Sequence, residues 1–247
     1  MNAYLKKKII SKVAPFITAT GAHKLFEKYL GGIGHILMFH RIVSDTNKQR
    51  VHNHLSLEIT TEHLENIINY FIKQNYYFLS IDELYNIFKS GTLPDKKFVV
   101  FTFDDGYRDN LHLAYPIFKK YKIPFTVYIT TGIPNRTAIL WWYILEDMII
   151  EMDEVHYSWN EKKYFYHCKT SNEKEKTFEL IQSFVHQNFN INNYLELFKE
   201  LFKDFQTDLT LQSSVLGLSW DEIRILNKDP LVSIGAHTVN HFNLSKI

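Results

Sequence analysis

One cysteine, six prolines and nine glycines are all that these 247 residues hold of the types that staple, kink or loosen a chain. A single thiol, Cys168, excludes an intramolecular disulfide framework, and with it the small cross-linked secreted folds. With 45% hydrophobic and 15% aromatic residues, the collagenous, low-complexity and disordered classes are excluded too. No stretch approaches the ~18 apolar residues of a membrane-spanning helix, and no internal repeat is visible. Charge of one sign is also missing. The 28 basic and 27 acidic residues leave a net +1, and no basic–aromatic stripe follows the N-terminal segment, so no nucleic-acid partner is expected. What remains is a chain long enough to bury one large core, read as one domain with an elaboration.

The charge that is present is unevenly placed. Residues 1–28 carry Lys6, Lys7, Lys8, Lys12, Lys24 and Lys28 against Glu27, a local net of +5 that leaves −4 for the rest. Leu5, Ile9 and Val13 recur at helical spacing, which predicts a short amphipathic helix ending near Pro15. Lys12 and Pro15 interrupt the apolar stretch, so it does not read as a signal peptide. The first reading of this basic segment, 1–32, is a helix docked on the domain with its lysines solvated. The second is loose peripheral contact with an anionic membrane face, and the third an atypical export signal. The expected location is the cytoplasm, against the inner membrane face in the second case. Oligomeric state is not readable.

From Gly34 the pattern is α/β. Ile36–Phe39 reads as a buried strand ending in His40-Arg41. Thr60 or Thr61 caps a helix whose Leu64, Ile67, Ile68 and Phe71 share one face. Tyr77–Leu79 is a second strand, and Ser80 with Glu83 forms a capping box opening a helix through Phe88. Phe98–Phe103 is apolar without alternation, the pattern of a strand covered on both faces in a parallel sheet or barrel. A helix over about 110–122 and a strand Phe125–Ile129 complete a βαβ rhythm. About 135–217 breaks that rhythm and reads as an α-rich insertion: a helix from Trp141, a hairpin around Asn160-Glu161, and helices near 172–188 and 192–204. The α/β pattern resumes with a Ser219/Glu222 capping box and a strand, Leu231–Ile234, that leads to His237.

Two strand ends carry unusual chemistry. Asp104 and Asp105 stand side by side directly after a buried strand, where adjacent carboxylates repel and need a cation or hydrogen bonds. Gly106 permits the tight turn that follows. His237 and His241 stand four apart where a strand is expected to hand over to a helix, a spacing that can put both imidazoles on one side of a helical turn. Two histidines and a carboxylate with open positions make a catalytic metal site. Alone, Asp-Asp-Gly marks a turn and His-x-x-x-His a coincidence. Together, both at the carboxyl ends of apolar strands, they mark the face on which parallel barrels build their chemistry. His40 is a candidate for lining the pocket. Tyr107 and Trp141 or Trp142 are candidates for stacking on a ligand, packing being the competing role. His52, His54, His63, His112, His156, His167 and His186 show no ligand spacing. Cys168 has no activating neighbour and is read as inert.

Thr102-Phe103-Asp104-Asp105-Gly106-Tyr107 resembles the first motif of the NodB-homology polysaccharide deacetylases, carbohydrate esterase family 4. His237-Thr238-Val239-Asn240-His241 resembles their second motif. Leu37–Arg41 and Ser219–Ile223 resemble flanking segments, so the likeness covers about 34–134 and 217–247. The resemblance implies a distorted (β/α) barrel over 33–247, with the 135–217 insertion within it. It implies Asp105, His237 and His241 as ligands of a divalent metal, zinc first, cobalt or nickel as alternatives. Asp104 would be the general base, Thr238 would steady the histidine loop, and His40 and Tyr107 would face substrate. The implied reaction is hydrolysis of N-acetyl groups on a polysaccharide or glycolipid amino sugar. The alternative is a non-catalytic protein binding glycan or metal on the same fold. Only six residues follow His241, whereas the family's later motifs include an arginine that orients the base and a Leu-x-His acid. The expectation is therefore a chain incomplete at its C-terminus: a fragment, a truncated frame, or a degenerate member, in that order.

Overall fold

The computed structural model describes residues 31–44 and 50–244, together with 13, 15, 17 and 19–21. Leu5, Ile9 and the lysines up to Lys12 lie outside the described residues, as do Lys24 and Lys28. Val13, Pro15, Ile17 and Ala19 are helical, so the helix does not end at Pro15 as expected.

Among the described residues, five parallel strands build the central sheet: β1 (Gly34–Phe39), β4 (Tyr77–Phe78), β5 (Phe98–Phe103), β6 (Phe125–Ile129) and β9 (Val232–Ala236). The order is β1-β5-β6-β9, and β4 pairs with the start of β5. All six residues of β5 are buried. Val99, Phe101 and Phe103 face one core, with Leu64, Ile68 and Phe71 of α1 (Thr61–Lys73) and Phe118 of α3 (Tyr115–Tyr121). Phe98 and Val100 face the other way, onto Leu84 of α2 (Ile81–Ser90). An unbroken apolar strand is what a sheet covered on both faces needs. Local capping sets the helix starts: Thr60 accepts from the His63 N–H, and Ser80 with Glu83 closes the expected box. The α/β class and parallel sheet are as expected. Among the described residues no strand pairs the outer edges of β1 or β9, and Ile36 and Met38 of β1 are exposed.

Two three-residue strands, β2 (Arg41–Val43) and β3 (Glu58–Thr60), pair beside the sheet. Between β6 and β9 lies a second core, built by α4 (Trp141–Glu151), the hairpin β7 (Glu154–Trp159)–β8 (Lys162–His167), α5 (Ser171–Asn188) and α6 (Tyr194–Leu201). Cys168 is buried within it. The short α7 (Leu211–Leu216) and the capped α8 (Trp220–Leu226) return the chain to β9. Among the described residues no helix is long and apolar enough to cross a membrane.

Candidate metal centre

Register decides where the chemistry goes. Phe39, Phe103, Val127 and Ile234 lie in one row across the sheet. The residues that follow therefore leave from one edge: His40 after β1, Asp104-Asp105 after β5, and His237 after β9. The β6–β9 ladder continues beyond the strands. His237 N–H donates to Ile129 O at 2.8 Å, Thr131 N–H to Thr238 O at 3.2 Å and Gly132 N–H to Val239 O at 2.7 Å. The Thr130 hydroxyl donates to His237 O at 2.8 Å. On the carboxylate side, Asp104 N–H bonds Phe39 O and Leu218 N–H bonds Gly106 O. Each half of the site is thus tied to the sheet by backbone.

Asp105, Thr238 and His241 hold φ of 72°, 63° and 56°. Left-handed backbone at a residue with a side chain costs about 1–3 kcal/mol and persists where the surroundings enforce it. At His241 the enforcement includes the Thr238 hydroxyl, which accepts the His241 N–H at 3.0 Å.

The outcome is a tight triad. One atom each of Asp105, His237 and His241 lie within 4.8 Å of one another. His241 Nε2 is 3.1 Å and His237 Nε2 3.6 Å from the same Asp105 Oδ1. That oxygen is buried and has no well-aligned hydrogen bond. Ligands ~2.1 Å from a tetrahedral ion stand roughly 3.4 Å apart, so these separations and the orphaned oxygen fit a shared divalent cation. Burial pushes the Asp105 carboxyl up, but the closely placed His241, with His40 and His237 nearby, outweighs it, and its pKa is lowered. Burial likewise opposes charge on His241, and Asp105 overrides it upward. Asp104 is half-buried, and desolvation raises its carboxyl against the pull of His237 and His40.

A cavity of about 600 Å³ opens over the triad. His40, Thr238, Trp141 and Trp142 are in its wall, and Trp142 stands 5.3 Å from the His241 ring. Asp104 is not in that wall, although it feels the charges of His237, His40 and His241. Tyr107 is not there either. It is 1% exposed, packed with Ile133, Leu140 and Tyr143 under the Arg41 guanidinium, and faces no open space. The strand-end turn that presents Asp105 points Tyr107 into the core.

Sequence spacing did not reveal a buried ionic network on the far side of Tyr143. Arg41 bonds Asp109 at 2.8 Å and approaches Glu58 at 3.4 Å. Arg50 grips Glu58 and Glu146 with two hydrogen bonds each. Glu146 Oε2 is 2.7 Å from His54 Nδ1, and His54 is in the cavity wall. These partners lie up to 96 residues apart, so no local pattern could have found them.

Gly132 offers a test of the histidine loop. A Cβ there would stand 2.5 Å from Val239 O and 2.8 Å from Asn240 Oδ1. The first is backbone and has nowhere to go. Gly132→Ala should therefore displace residues 237–241 and weaken zinc binding roughly 10–100-fold, the usual effect of disturbing a ligand's support. Competition with a chromogenic chelator measures it, and unchanged affinity would show that the loop yields freely.

A family model described as polysaccharide deacetylase matches residues 92–247. The putative polysaccharide deacetylase YxkH of Bacillus subtilis is 32% identical over 94 residues, 38% of this chain and 30% of that protein. Among solved structures, a de-N-acetylase from Aggregatibacter actinomycetemcomitans aligns at 19% identity and a TM-score of 0.46, over 86% of this chain and 59% of that one. The Streptococcus pyogenes deacetylase PplD, solved with acetate, aligns at 31% identity and a TM-score of 0.35, over 41% and 44%. The chain spans about a third to three fifths of the length of these proteins. The family match takes in both strand ends that meet at the triad and well over half of the sequence, and on it the chain belongs to the polysaccharide deacetylase family.

Proposed function

We propose that this chain hydrolyses N-acetyl groups from an amino sugar of a polysaccharide or glycolipid, with a divalent metal, zinc first, held by Asp105, His237 and His241. The observation that carries the proposal is the triad itself: a carboxylate and two imidazoles within 4.8 Å, with a second carboxylate adjacent in sequence. When bound, such an ion supplies Lewis acidity, polarising the acetamide carbonyl and acidifying a water.

The residues do the rest. Asp104 takes the proton from the attacking water. Its raised pKa, set mainly by burial, makes it a better base than a solvated carboxylate. Thr238 keeps His241 on its ligand side through the hydroxyl contact. His40 adds positive potential to both carboxylates whenever it is protonated. Trp141 and Trp142 give the cavity an aromatic wall on which a pyranose face can stack. The barrel of this family is the expected frame for such a site.

The test is acetate release from acetylated chito-oligosaccharides with zinc, cobalt or nickel added, and its loss with a chelator. Release that depends on metal supports the proposal. Full zinc occupancy without release on any acetylated amino sugar would leave the non-catalytic binding role in its place.

A further inference from the structure

His54 is used by no step above, yet it is one of the most firmly held side chains near the cavity. Its ring is 3% exposed and lies 4.4 Å from Tyr143 and 5.6 Å from Phe178, centroid to centroid. Nδ1 meets Glu146 Oε2 at 2.7 Å. Glu146 is fixed in turn by Arg50 and by the Val51 N–H at 2.9 Å. Burial works against this carboxylate, but the bonds from His54 and Arg50 prevail and pull its pKa down to about 2. Glu146 is therefore an ionised, acceptor-only partner, and Nδ1 must carry the proton that joins them. The other nitrogen, Nε2, is the one left for a further contact.

That nitrogen is buried and has no hydrogen-bond partner. An unmet buried polar atom costs about 1–3 kcal/mol and calls for an explanation. If His54 served only to neutralise Glu146, a single donor at the Nδ1 position would suffice. The residue belongs to the wall of the same cavity as Asp105, His237 and His241. We propose that His54 is a substrate-anchoring residue, whose Nε2 hydrogen-bonds a sugar hydroxyl of a glycan bound beside the metal triad. The identity of the ligand rests on the deacetylase reading; the anchoring geometry does not.

Two substitutions separate anchoring from support. Asn places a donor where Nδ1 was and removes Nε2, whereas Gln keeps a polar atom near Nε2 and gives up the Nδ1 donor. With the full chain loaded with zinc, calorimetric titration of chitotetraose should show Kd raised about tenfold in His54→Asn. His54→Gln should bind within about threefold of wild type. In acetate release the same factor should appear in KM, with kcat and zinc affinity unchanged. The opposite pattern, normal Asn and defective Gln, makes His54 a prop for Glu146 and overturns the proposal. Wild-type Kd in both variants overturns it, and so does failure of the parent chain to bind the sugar. Sugar binding that depends on His54 without acetate release keeps the anchor and removes the deacetylase reading. Should either variant fail to fold, 15N-histidine-labelled wild type gives the answer: His54 Nε2 should shift when chitotetraose is added, and an unmoved resonance overturns the inference.

Discussion

Replacing Asp104 by Asn should leave a folded, zinc-loaded protein whose acetate release is lower by roughly 10²–10⁴-fold, the usual worth of a positioned base. Asn has the same shape, and the backbone that places it is unchanged, because the residue-104 N–H still donates to Phe39 O. What is lost is the ability to accept a proton. Metal analysis and acetate assay on one preparation are enough. Activity within tenfold of wild type, at full zinc content, would take the base role from Asp104.

Asp105→Ala and His237→Ala should show the complementary defect. Each removes one of three donors, and stoichiometric zinc binding should disappear. The readout need not be activity. An ion at a hundred times its Kd adds about 2.7 kcal/mol to stability. For a chain of this size that is an upward shift in Tm of roughly 5–10 °C. The shift should be present in wild type and Asp104→Asn and absent in both ligand variants. Protons compete for the same lone pairs. Because Asp105 raises His241 above the ordinary imidazole pKa of about 6.5, zinc loading should start to fall above that pH as the solution is acidified. Full zinc content in both ligand variants would dismiss the triad as the metal site.

Local chemistry explains which elements the sequence revealed. The strands Phe98–Phe103 and Phe125–Ile129, the capping boxes at Ser80 and Ser219, and the hairpin turning at Asn160-Glu161 are written in adjacent residues. Asp105 and His237 were legible because each stands just past a strand that adjacent residues announce, and His241 because it recurs four residues after His237. The features that escaped are non-local. Strands β2 and β3 are three residues each, and pair only because the intervening loop brings them together. The Arg50–Glu146–His54 chain joins segments nearly a hundred residues apart. Tyr107 was misplaced for a different reason. Proximity in sequence to a ligand does not say which way a side chain leaves a tight turn, and two residues after Asp105 it leaves inward.

The two halves of the triad stand about 130 residues apart, with the whole second core threaded between them. Closing a loop of that length costs an unfolded chain on the order of 4 kcal/mol before any contact repays it. The sheet repays it by docking β9 on β6, its one partner among the described residues. Until that happens there is nowhere for an ion to sit. A cation that then bridges Asp105 and His237 fastens an edge strand to the central one, acting as a latch on a tertiary structure already formed rather than as its nucleus. Metal should accordingly slow unfolding far more than it hastens refolding.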